Sequence, residues 1–463
     1  MYYTIYENEK IERYDNMLIQ FIVDNFLSFG SRQEFSLFAG KTRAHQDRVE
    51  QVQGKSLLKF AALFGANASG KSNLTQAMAF MDKTIEQGRL PRNCFQSYCR
   101  TKAENTDRVS YFETILVLNN SFYSYGFEAL LSKGTFTSEW LVQIDQKGKE
   151  IPLFTRNLIS GETDIAWNLS NQSKQRLVMY AEDLRRDKTT LLLSMMNTGK
   201  KELYKDHPEL MVLRDTYQWF SKTFNASKPF EPITSGNRYL IDKKLQELTS
   251  LLEGFDTDIH GIEKIDMQIV DLPTHLHKAV ENAEQDILEM IAKKPQTNGM
   301  SVLLRDAQSF LCISKSNNEE NFSLKKIVFR HTDGQMYSIG EESDGTVRIM
   351  DLAEVLLTTE PRVFVIDELD RCLHPQLSYR FIQRVLSHIA KYPIQVIVTS
   401  HESRLLNLDL LRRDEIWFVQ KRKGETSLYS LEEFNERSDR KIDKAYLDGR
   451  YGGVPLFVDK EEV

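Results

Sequence analysis

The sequence predicts an α/β fold: a phosphate-binding core with a mixed sheet and an antiparallel β lobe, interrupted by a helical insertion. A short apolar run, Lys59–Phe64, leads into a glycine-rich loop and then into a helical pattern at Asn73–Ile85. Two later runs, Val363–Ile366 and Gln395–Thr399, are almost wholly apolar and β-branched, as in strands covered on both faces of a mostly parallel sheet. Residues 172–300 have helical character and separate the loop from these two strands.

Composition limits the class of protein. The chain has 463 residues, of which 41% are hydrophobic and 27% charged, with 11 prolines and 22 glycines. These values are typical of a globular protein and exclude a wholly disordered, collagenous or disulfide-stapled chain. The length corresponds to about three modules, or to one domain with a large insertion. The net charge of -6 is too small to predict whether a binding partner is positively or negatively charged. The strongly basic overall charge expected of a nucleic-acid-binding protein is absent.

Cysteine usage and hydropathy predict the compartment. The cysteines are Cys94, Cys99, Cys312 and Cys372, and we expect reduced thiols. Cys94 and Cys99 have no matching second pair, so a zinc site is not favoured. No run of about 18 apolar residues occurs, so we expect no membrane span and no membrane partner. The N-terminal residues are too charged and aromatic for a secretory signal, and we predict a cytoplasmic protein.

The pattern divides the chain into five stretches. Residues 1–16 form a polar N-terminal extension. Residues 17–171 form the first half of the core, with the glycine-rich loop and the β lobe, and residues 172–300 form the helical insertion or short arm. Residues 301–420 form the second half of the core, and residues 421–463 form a C-terminal tail.

Two local patterns support this division. Tyr111–Leu118 and Phe122–Phe127 are strand-like and flank the turn residues Asn119-Asn120, so they predict an antiparallel hairpin. In the insertion, apolar residues fall at helical spacing at Leu276, Val280, Ala283, Ile287 and Met290. This pattern covers only about two heptads, too few for a coiled coil, and a helical subdomain packed on its neighbours is the simpler interpretation.

The segment Gly65-Ala-Asn-Ala-Ser-Gly-Lys-Ser72 matches the phosphate-binding loop G-x-x-x-x-G-K-[ST] in full. Glycines let the backbone curl so that its N–H groups point at phosphate oxygens, at the positive end of the following helix. Lys71 is predicted to reach the β- and γ-phosphates, and the Ser72 hydroxyl to ligate magnesium. The alternative is a glycine turn that binds nothing. The predicted nucleotide-binding residues are Gly65, Ala66, Asn67, Ala68, Ser69, Gly70, Lys71, Ser72 and Asn73.

A nucleotide loop needs an acidic partner at the end of a neighbouring strand, and Asp367 and Glu368 follow one of the apolar runs. Asp367 is predicted to hold the water shell of the magnesium ion, and Glu368 to orient and deprotonate the attacking water. His401 ends the other run and is predicted to bond the γ-phosphate. The alternatives are a helix-capping pair and a structural histidine. The predicted catalytic residues are therefore Lys71, Glu368 and His401, and the predicted metal residues are Ser72 and Asp367.

The order of these motifs resembles the ABC-type ATPase head shared by SMC, RecF and overcoming-lysogeny-defect proteins. The resemblance implies an ABC-ATPase that uses ATP and Mg²⁺, with ATP sandwiched between two heads and the loop of one facing a signature segment of the other. The candidate signature is Glu341-Glu-Ser343-Asp-Gly345-Thr346, with Ser343 and Gly345 as further nucleotide-binding residues at the start of a helix, Val347–Leu357. It departs from the common Leu-Ser-Gly-Gly form and is equally a helix N-cap. A glutamine that touches the metal is also implied, and Gln96 is the candidate.

A narrower resemblance is carried by five segments: Met17–Phe29, Glu341–Thr346, Leu373–Pro375, Leu410–Phe418 and Tyr446–Pro455. These segments resemble stand-alone ATPases of bacterial anti-phage and abortive-infection modules. The AbiLi/RloA type is similar, with the AriA ATPase of PARIS and the PtuA ATPase of Septu as relatives. These families imply dimers or larger rings that control a separately encoded effector, often a TOPRIM-type nuclease, and a phage-encoded protein as the trigger.

Three functions are compatible with these motifs: a regulatory ATPase that controls a nuclease, a RecF-like ATPase clamp that acts on DNA, and the ATPase subunit of a transporter. The β lobe and the helical insertion are poor matches to compact transporter subunits. Basic clusters at Arg412-Arg413 and Lys421–Lys423 could contact DNA phosphates, but solvated surface charge is the simpler interpretation. After His401 no second acidic cluster with nuclease spacing occurs, so nuclease activity is expected in a partner.

Overall fold

The structure is a computed structural model that describes residues 2–5, 16–200, 202–227, 233, 240, 244–293, 299–316, 319–434 and 442–454. The strands are β1 (Tyr2–Ile5), β2 (Leu18–Asp24), β3 (Gln33–Ser36), β4 (Val49–Val52), β5 (Lys55–Leu58), β6 (Phe60–Phe64), β7 (Ser110–Leu118), β8 (Ser121–Leu130), β9 (Thr135–Ile144), β10 (Glu150–Asn157), β11 (Glu162–Asp164), β12 (Phe224–Ser227), β13 (Ile259–Asp266), β14 (Gly299–Arg305), β15 (Phe310–Ser316), β16 (Ser323–His331), β17 (Met336–Tyr337), β18 (Arg362–Ile366), β19 (Ile394–Ser400), β20 (Ile416–Arg422) and β21 (Glu425–Ser430). The helices are α1 (Lys71–Gln87), α2 (Asn171–Asp183), α3 (Leu192–Asn197), α4 (Leu203–Asp206), α5 (Met211–Gln218), α6 (Leu245–Glu253), α7 (Thr274–Lys293), α8 (Asp344–Leu357), α9 (Pro375–Ile389) and α10 (Ile442–Leu447).

The chain forms two compact units, each assembled from separate segments. The first unit consists of Met1–Glu12, Phe230–Thr358 and Arg371–Ser378. The second consists of Arg13–Pro229, Thr359–Asp370 and Tyr379–Val463. This grouping differs from the linear division predicted above, because the stretch 301–420 contributes to both units.

A mixed sheet at the centre of the second unit carries the glycine-rich loop. Its strand order is β12-β18-β19-β6-β20-β21, with parallel pairing from β12 to β20 and antiparallel pairing of β21 with β20. Every residue of β6 and β19 is buried, as the apolar runs predict. Ser400 lies opposite Phe64, and Ile366 lies opposite Val398. The loop after β6 and the residues after β18 and β19 therefore emerge at one edge of the sheet.

The second unit also contains the predicted antiparallel lobe, with strand order β11-β10-β9-β8-β7-β2-β3. The predicted hairpin is β7 and β8, joined at Asn119 and Asn120. Both asparagines have positive φ, 50° and 59°, which is the backbone of a type I′ turn. The α/β class, the mixed sheet and the antiparallel lobe are thus confirmed.

The side-chain amide of Gln395 connects the mixed sheet to neighbouring strands. Gln395 is a buried polar residue within β19, which is otherwise nearly all apolar. Its Oε1 accepts a hydrogen bond from the Leu18 N–H (2.9 Å), and its Nε2 donates to the carbonyls of Leu18 (3.0 Å) and Leu58 (2.7 Å). The amide therefore ties the strand before His401 to β2 of the lobe and to β5.

The prediction that residues 172–300 are helical is wrong in part. Two strands lie in this range: β12 pairs with β18 in the mixed sheet, and β13 pairs with β16. The sequence Phe-Asn-Ala-Ser of β12 has only four residues and one large apolar side chain, so its strand signal is weak. Within the N-terminal extension, Tyr2–Ile5 form β1, which pairs with β14.

The first unit contains an antiparallel sheet covered by α7, which is the helix predicted from apolar spacing. The strand order is β1-β14-β15-β16-β13, and β17 also pairs with β16. The apolar face of α7 packs on β14 and β15 in one core, which supports a helix packed on its neighbours rather than a coiled coil. That core comprises Leu272, Leu276, Val280, Ala283, Ile287, Met300, Val302, Leu304, Leu311 and Ile313.

Other predictions concern single residues and hydropathy. Cys94, Cys99 and Cys312 are buried free thiols, and Cys372 is exposed. Arg412 is only 1% exposed and pairs with Asp414, so the interpretation of this arginine as a solvated or DNA-contacting charge is wrong.

Among the helices of the described residues, none combines the length and the apolar character needed to cross a bilayer.

The Gln395→Leu variant should lower the free energy of unfolding by about 3 kcal/mol, because Leu18 and Leu58 would lose buried hydrogen bonds. Urea unfolding followed by circular dichroism measures this change. Gln383, exposed on α9, gives the matched control: Gln383→Leu should change stability by less than about 0.5 kcal/mol. Equal stability of the two variants would contradict the role assigned to Gln395.

Candidate functional site

The glycine-rich loop leaves β6 and enters α1 with a tightly wound backbone. Gly70 caps α1 with φ of 109°, and Ala68 has φ of 61°. A Cβ atom on Gly65 would overlap the Val419 carbonyl, and one on Gly70 would overlap the Thr426 hydroxyl. Both glycines are therefore required by the fold, and the loop forms a curled cradle at the N-terminus of a 17-residue helix.

Hydrogen bonds of three side chains, those of Ser28, Asn73 and Thr426, fix this loop. The Thr426 hydroxyl lies 2.7 Å from the Ser28 hydroxyl and donates to the Ser69 carbonyl (2.8 Å). The Asn73 amide donates to the Ser28 hydroxyl (2.5 Å). Ser28 and Thr426 are both buried. The loop is thus anchored to the turn after β2 and to β21, and sequence reasoning missed both of these residues.

Lys71 is buried at the centre of the site. Its Nζ donates to the Gly65 carbonyl (2.6 Å) and to the Ala66 carbonyl (3.2 Å). Burial away from water lowers its pKa to about 8, and the nearby carboxylates of Asp367, Asp370 and Glu368 only partly offset this effect. The ammonium is therefore held by neutral carbonyls and is available to an anionic ligand.

Asp367 and Glu368 take different positions after β18. Asp367 is 2% exposed, and its Oδ1 accepts a hydrogen bond from the Thr399 hydroxyl (2.6 Å). Glu368 faces the cavity described below, and its backbone N–H donates to the same hydroxyl (2.8 Å). Its φ is 46°, an unfavourable backbone conformation for a glutamate and one that is found preferentially at functional sites. Thr399 therefore fixes both acids.

His401 lies beside Lys71 at the end of β19. Its backbone N–H donates to the Asp370 carboxylate (3.2 Å to each oxygen), and its Nδ1 is 3.4 Å from the Lys71 Nζ. Burial and the adjacent lysine charge lower the pKa of the imidazole. Because the ammonium can only donate, Nδ1 is the acceptor nitrogen of a neutral ring.

An open cavity of about 470 Å³ collects most of the predicted residues. Gly65, Ala66 and Asp367 do not line it: the first two offer carbonyls to Lys71, and the third lies behind Glu368. Lys421 lines the cavity although the sequence suggested only surface charge. Its place in the cavity follows from its position near the end of β20, the strand that pairs with β6. The lining residues are Asn67, Ala68, Ser69, Gly70, Lys71, Ser72, Asn73, Glu368, His401 and Lys421.

The chemistry of these residues fits a magnesium nucleotide. The Ser69 hydroxyl is buried without a hydrogen-bond partner among the described residues, as expected for a group that awaits a ligand. Lys71 supplies an ammonium that has no ion pair among the described residues, and the loop supplies N–H groups at a helix N-terminus. Magnesium is commonly held by one or two protein oxygens together with phosphates and water, and Ser72 and Asp367 would hold it here.

The predicted signature segment lies in the first unit. Ser343 is the N-cap of α8, and its hydroxyl accepts from the Thr346 N–H (3.1 Å). A Cβ atom on Gly345 would lie 3.0 Å from the Cys372 carbonyl, so the glycine permits a close approach of the chain that follows the acidic pair. Gln96 is exposed on a short 3₁₀ turn and does not line the 470 Å³ cavity.

The sequence profile of a protein family described as "AAA domain, putative AbiEii toxin, Type IV TA system" matches residues 60–180 and 213–407. These ranges make up more than half of the chain and contain the loop, Asp367, Glu368 and His401. No curated protein matches the chain.

Several solved structures of SMC heads are similar to this chain at low sequence identity. The SMC head domain from Thermotoga maritima is 16% identical and has a TM-score of 0.34, and the match covers 89% of this chain and 98% of that chain. An SmcHead bound to the C-winged helix domain of ScpA is 14% identical with a TM-score of 0.35, covering 89% and 97%. A Pyrococcus furiosus Smc head with an extended coiled coil, bound to the C-terminal domain of ScpA, is 13% identical with a TM-score of 0.38, covering 94% and 99%.

The affinity for MgATP should fall as the pH rises above 8. With a pKa of about 8 in the free protein, the Lys71 ammonium is largely charged below that pH and largely neutral above it. Contact with phosphate raises this pKa, so binding above pH 8 takes up a proton. Calorimetric titrations in buffers of different ionisation enthalpy should show little proton uptake by Lys71 at pH 7 and about one proton at pH 9. Lys71→Arg keeps the charge and should lose this uptake; the same uptake in both proteins would contradict the assignment.

Proposed function

Because the chain belongs to the AAA domain family whose profile matches it, we propose that it binds ATP with magnesium and hydrolyses it at the 470 Å³ cavity. One observation carries the proposal. Lys71 lies about 300 residues before Glu368 and His401 in the sequence, yet all three line one cavity at the ends of three adjacent parallel strands. Phosphoryl transfer to water uses a phosphate-binding lysine and a residue that positions or deprotonates the water, and an imidazole N–H can donate to a phosphate oxygen.

The loop and Lys71 bind and orient the phosphates. The loop offers backbone N–H groups to the phosphates at the N-terminus of α1, and the Ser69 hydroxyl, buried without a hydrogen-bond partner among the described residues, adds a donor. The Lys71 ammonium exchanges its carbonyl acceptors for phosphate oxygens, which are stronger acceptors because they are charged. The loop does not need to rearrange for this exchange, since Ser28 and Thr426 already fix it.

The two acidic residues have different roles: Asp367 acts on the metal and Glu368 acts on the attacking water. Magnesium, when bound, neutralises the charge that develops on the phosphates. Ser72 and Asp367 would hold the ion or its water shell, and Thr399 keeps the Asp367 carboxylate in place. The Glu368 carboxylate accepts the proton of the attacking water as general base. The neutral His401, with its acceptor Nδ1 towards Lys71, is left with Nε2–H to donate to the γ-phosphate.

We further propose that ATP joins two copies of the chain and that the joined form controls a separately encoded nuclease of a phage-defence system. The description of the matching family, which names an AbiEii toxin and a toxin-antitoxin system, supports a role of this kind. Ser343 is exposed at the N-terminus of α8, where a phosphate of the partner's nucleotide could be bound. The AbiLi/RloA-like segments noted in the sequence support the choice of a nuclease as effector.

Glu368→Gln should keep MgATP binding and lower the hydrolysis rate by about 10²–10⁴-fold, because the amide cannot accept the water proton. Phosphate release in single-turnover assays measures the chemical step, and calorimetry measures binding. Glu360→Gln, an exposed glutamate two residues before β18, is the matched control and should hydrolyse ATP at the parent rate. Undiminished turnover in Glu368→Gln would remove Glu368 as the base.

Ser343→Arg should abolish hydrolysis although it lies outside the unit that holds the loop, because each site needs Ser343 from the other copy. Mixing Ser343→Arg with Lys71→Ala, each inactive alone, should restore about one quarter of the parent activity: half of the dimers are mixed, and each mixed dimer has one intact site. Ser250→Arg, exposed on α6 of the same unit, is the control and should stay active. Normal hydrolysis by Ser343→Arg alone would contradict the shared site.

A further inference from the structure

A second cavity adjoins the loop on the side away from Glu368 and His401. It has a volume of about 950 Å³ and shares Asn67, Ala68, Ser69 and Lys421 with the first. Its opposite wall is residues 448–454. We call the segment Tyr446–Gly453 the C-terminal turn. The proposed binding and hydrolysis of ATP do not involve the C-terminal turn.

Aromatic stacking attaches the C-terminal turn to the strand beside the loop. Phe418 of β20 lies between two tyrosine rings: Tyr446 at 5.6 Å and 15°, and Tyr451 at 5.2 Å and 11°. Tyr446 also contacts Phe64, the residue that immediately precedes Gly65, edge-on at 6.5 Å. Phe418 and Tyr451 are buried, so this stack is part of the core and not a surface contact.

Hydrogen bonds and glycines then bring the turn onto the loop itself. The Tyr446 hydroxyl donates to the Gly453 carbonyl (3.1 Å), and the Tyr429 hydroxyl donates to the Tyr451 carbonyl (2.5 Å). Gly453 has φ of 69°, and a Cβ atom there would lie 3.3 Å from the Val419 carbonyl and 3.5 Å from the Gly65 Cα. Gly65 therefore lies against the Val419 carbonyl, with Gly453 close to both.

We propose that the C-terminal turn is a positioning element of the nucleotide site. Gly65 provides the carbonyl to which Lys71 donates at 2.6 Å, so a displacement of Gly65 displaces both the start of the loop and the acceptor of its lysine. Gly453, Tyr446 and Tyr451 do not touch the nucleotide; they act through Gly65. The inference rests on the proposed ATP site and adds that the affinity of this site is set partly by residues about 380 positions downstream in the sequence.

By linkage, the coupling works in both directions. If the turn stabilises the loop in the form that binds MgATP, then MgATP stabilises the turn by the same free energy. The turn has its own backbone hydrogen bonds, Arg450 N–H to Ala445 O and Gly452 N–H to Gly449 O, whose opening can be followed. Nucleotide binding should therefore slow amide exchange in residues 445–453, which a merely structural contact would not do.

Gly453→Val is the direct test, with Gly199→Val as a matched control. Both glycines have φ of 69°, but a Cβ atom on Gly199 has nothing within 4 Å, so the pair shares the backbone strain and differs in the contact with the loop. Gly453→Val should raise the KM for MgATP about tenfold or more with a smaller change in kcat, and Gly199→Val should not. Equal KM values in the two variants would overturn the proposal.

Tyr446→Phe keeps the ring that stacks on Phe418 and removes only the hydroxyl bonded to Gly453, so it tests the proposal even if Gly453→Val fails to fold. The Kd for MgATP should rise about threefold. Exchange in residues 445–453 of the parent protein should slow on addition of MgATP, and unchanged exchange there, with slowing confined to residues 65–73, would overturn the proposal. Failure of the parent protein to bind MgATP would instead refute the proposed function.

Discussion

The site depends on one constraint: β18, β19 and β6 are neighbours in a parallel sheet and end at the same edge. The register places Ser400 opposite Phe64 and Ile366 opposite Val398. The next residue of each strand must therefore leave the sheet beside the others. The loop, the acidic pair and His401 meet for this reason, although about 300 residues lie between Lys71 and Asp367. The Gln395 amide adds to the constraint, because it fixes β19 against β2 and β5, two strands that do not pair with β19.

A second level of organisation holds the loop in a form that can take phosphate. Ser28, Thr426 and Gly453 contact it from the turn after β2, from β21 and from the C-terminal turn. Lys71 is buried within the loop held in this way, and burial lowers its pKa and leaves its charge poorly solvated. A buried cation of this kind gains more from a phosphate than a solvated one does, because little hydration is lost on binding. The packing that stabilises the loop therefore also favours the binding of phosphate by the Lys71 ammonium.

The central site could be predicted from the sequence because its chemistry is local. Gly65–Ser72, the run before Asp367 and the run before His401 each carry their pattern within a few residues. The supporting residues could not be predicted in this way. Ser28 and Thr426 are ordinary residues of a turn and a strand, and only the fold brings their hydroxyls within 2.7 Å. The strand β12, Phe-Asn-Ala-Ser, has only four residues and one large apolar side chain, too little for a clear strand signal, and it takes its structure from pairing with β18. The helical prediction over 172–300 failed there for the same reason.

The central claim is that Lys71 and the loop bind the phosphates of MgATP. Calorimetric titration of MgATP into the parent protein and into Lys71→Ala tests it most directly. The account predicts one nucleotide per chain for the parent, and for Lys71→Ala a loss of affinity of at least about 100-fold, because the buried ammonium is the site's main positive charge and its contact with phosphate is charge-assisted. Equal affinity in the two proteins, or no binding by the parent, would contradict the account.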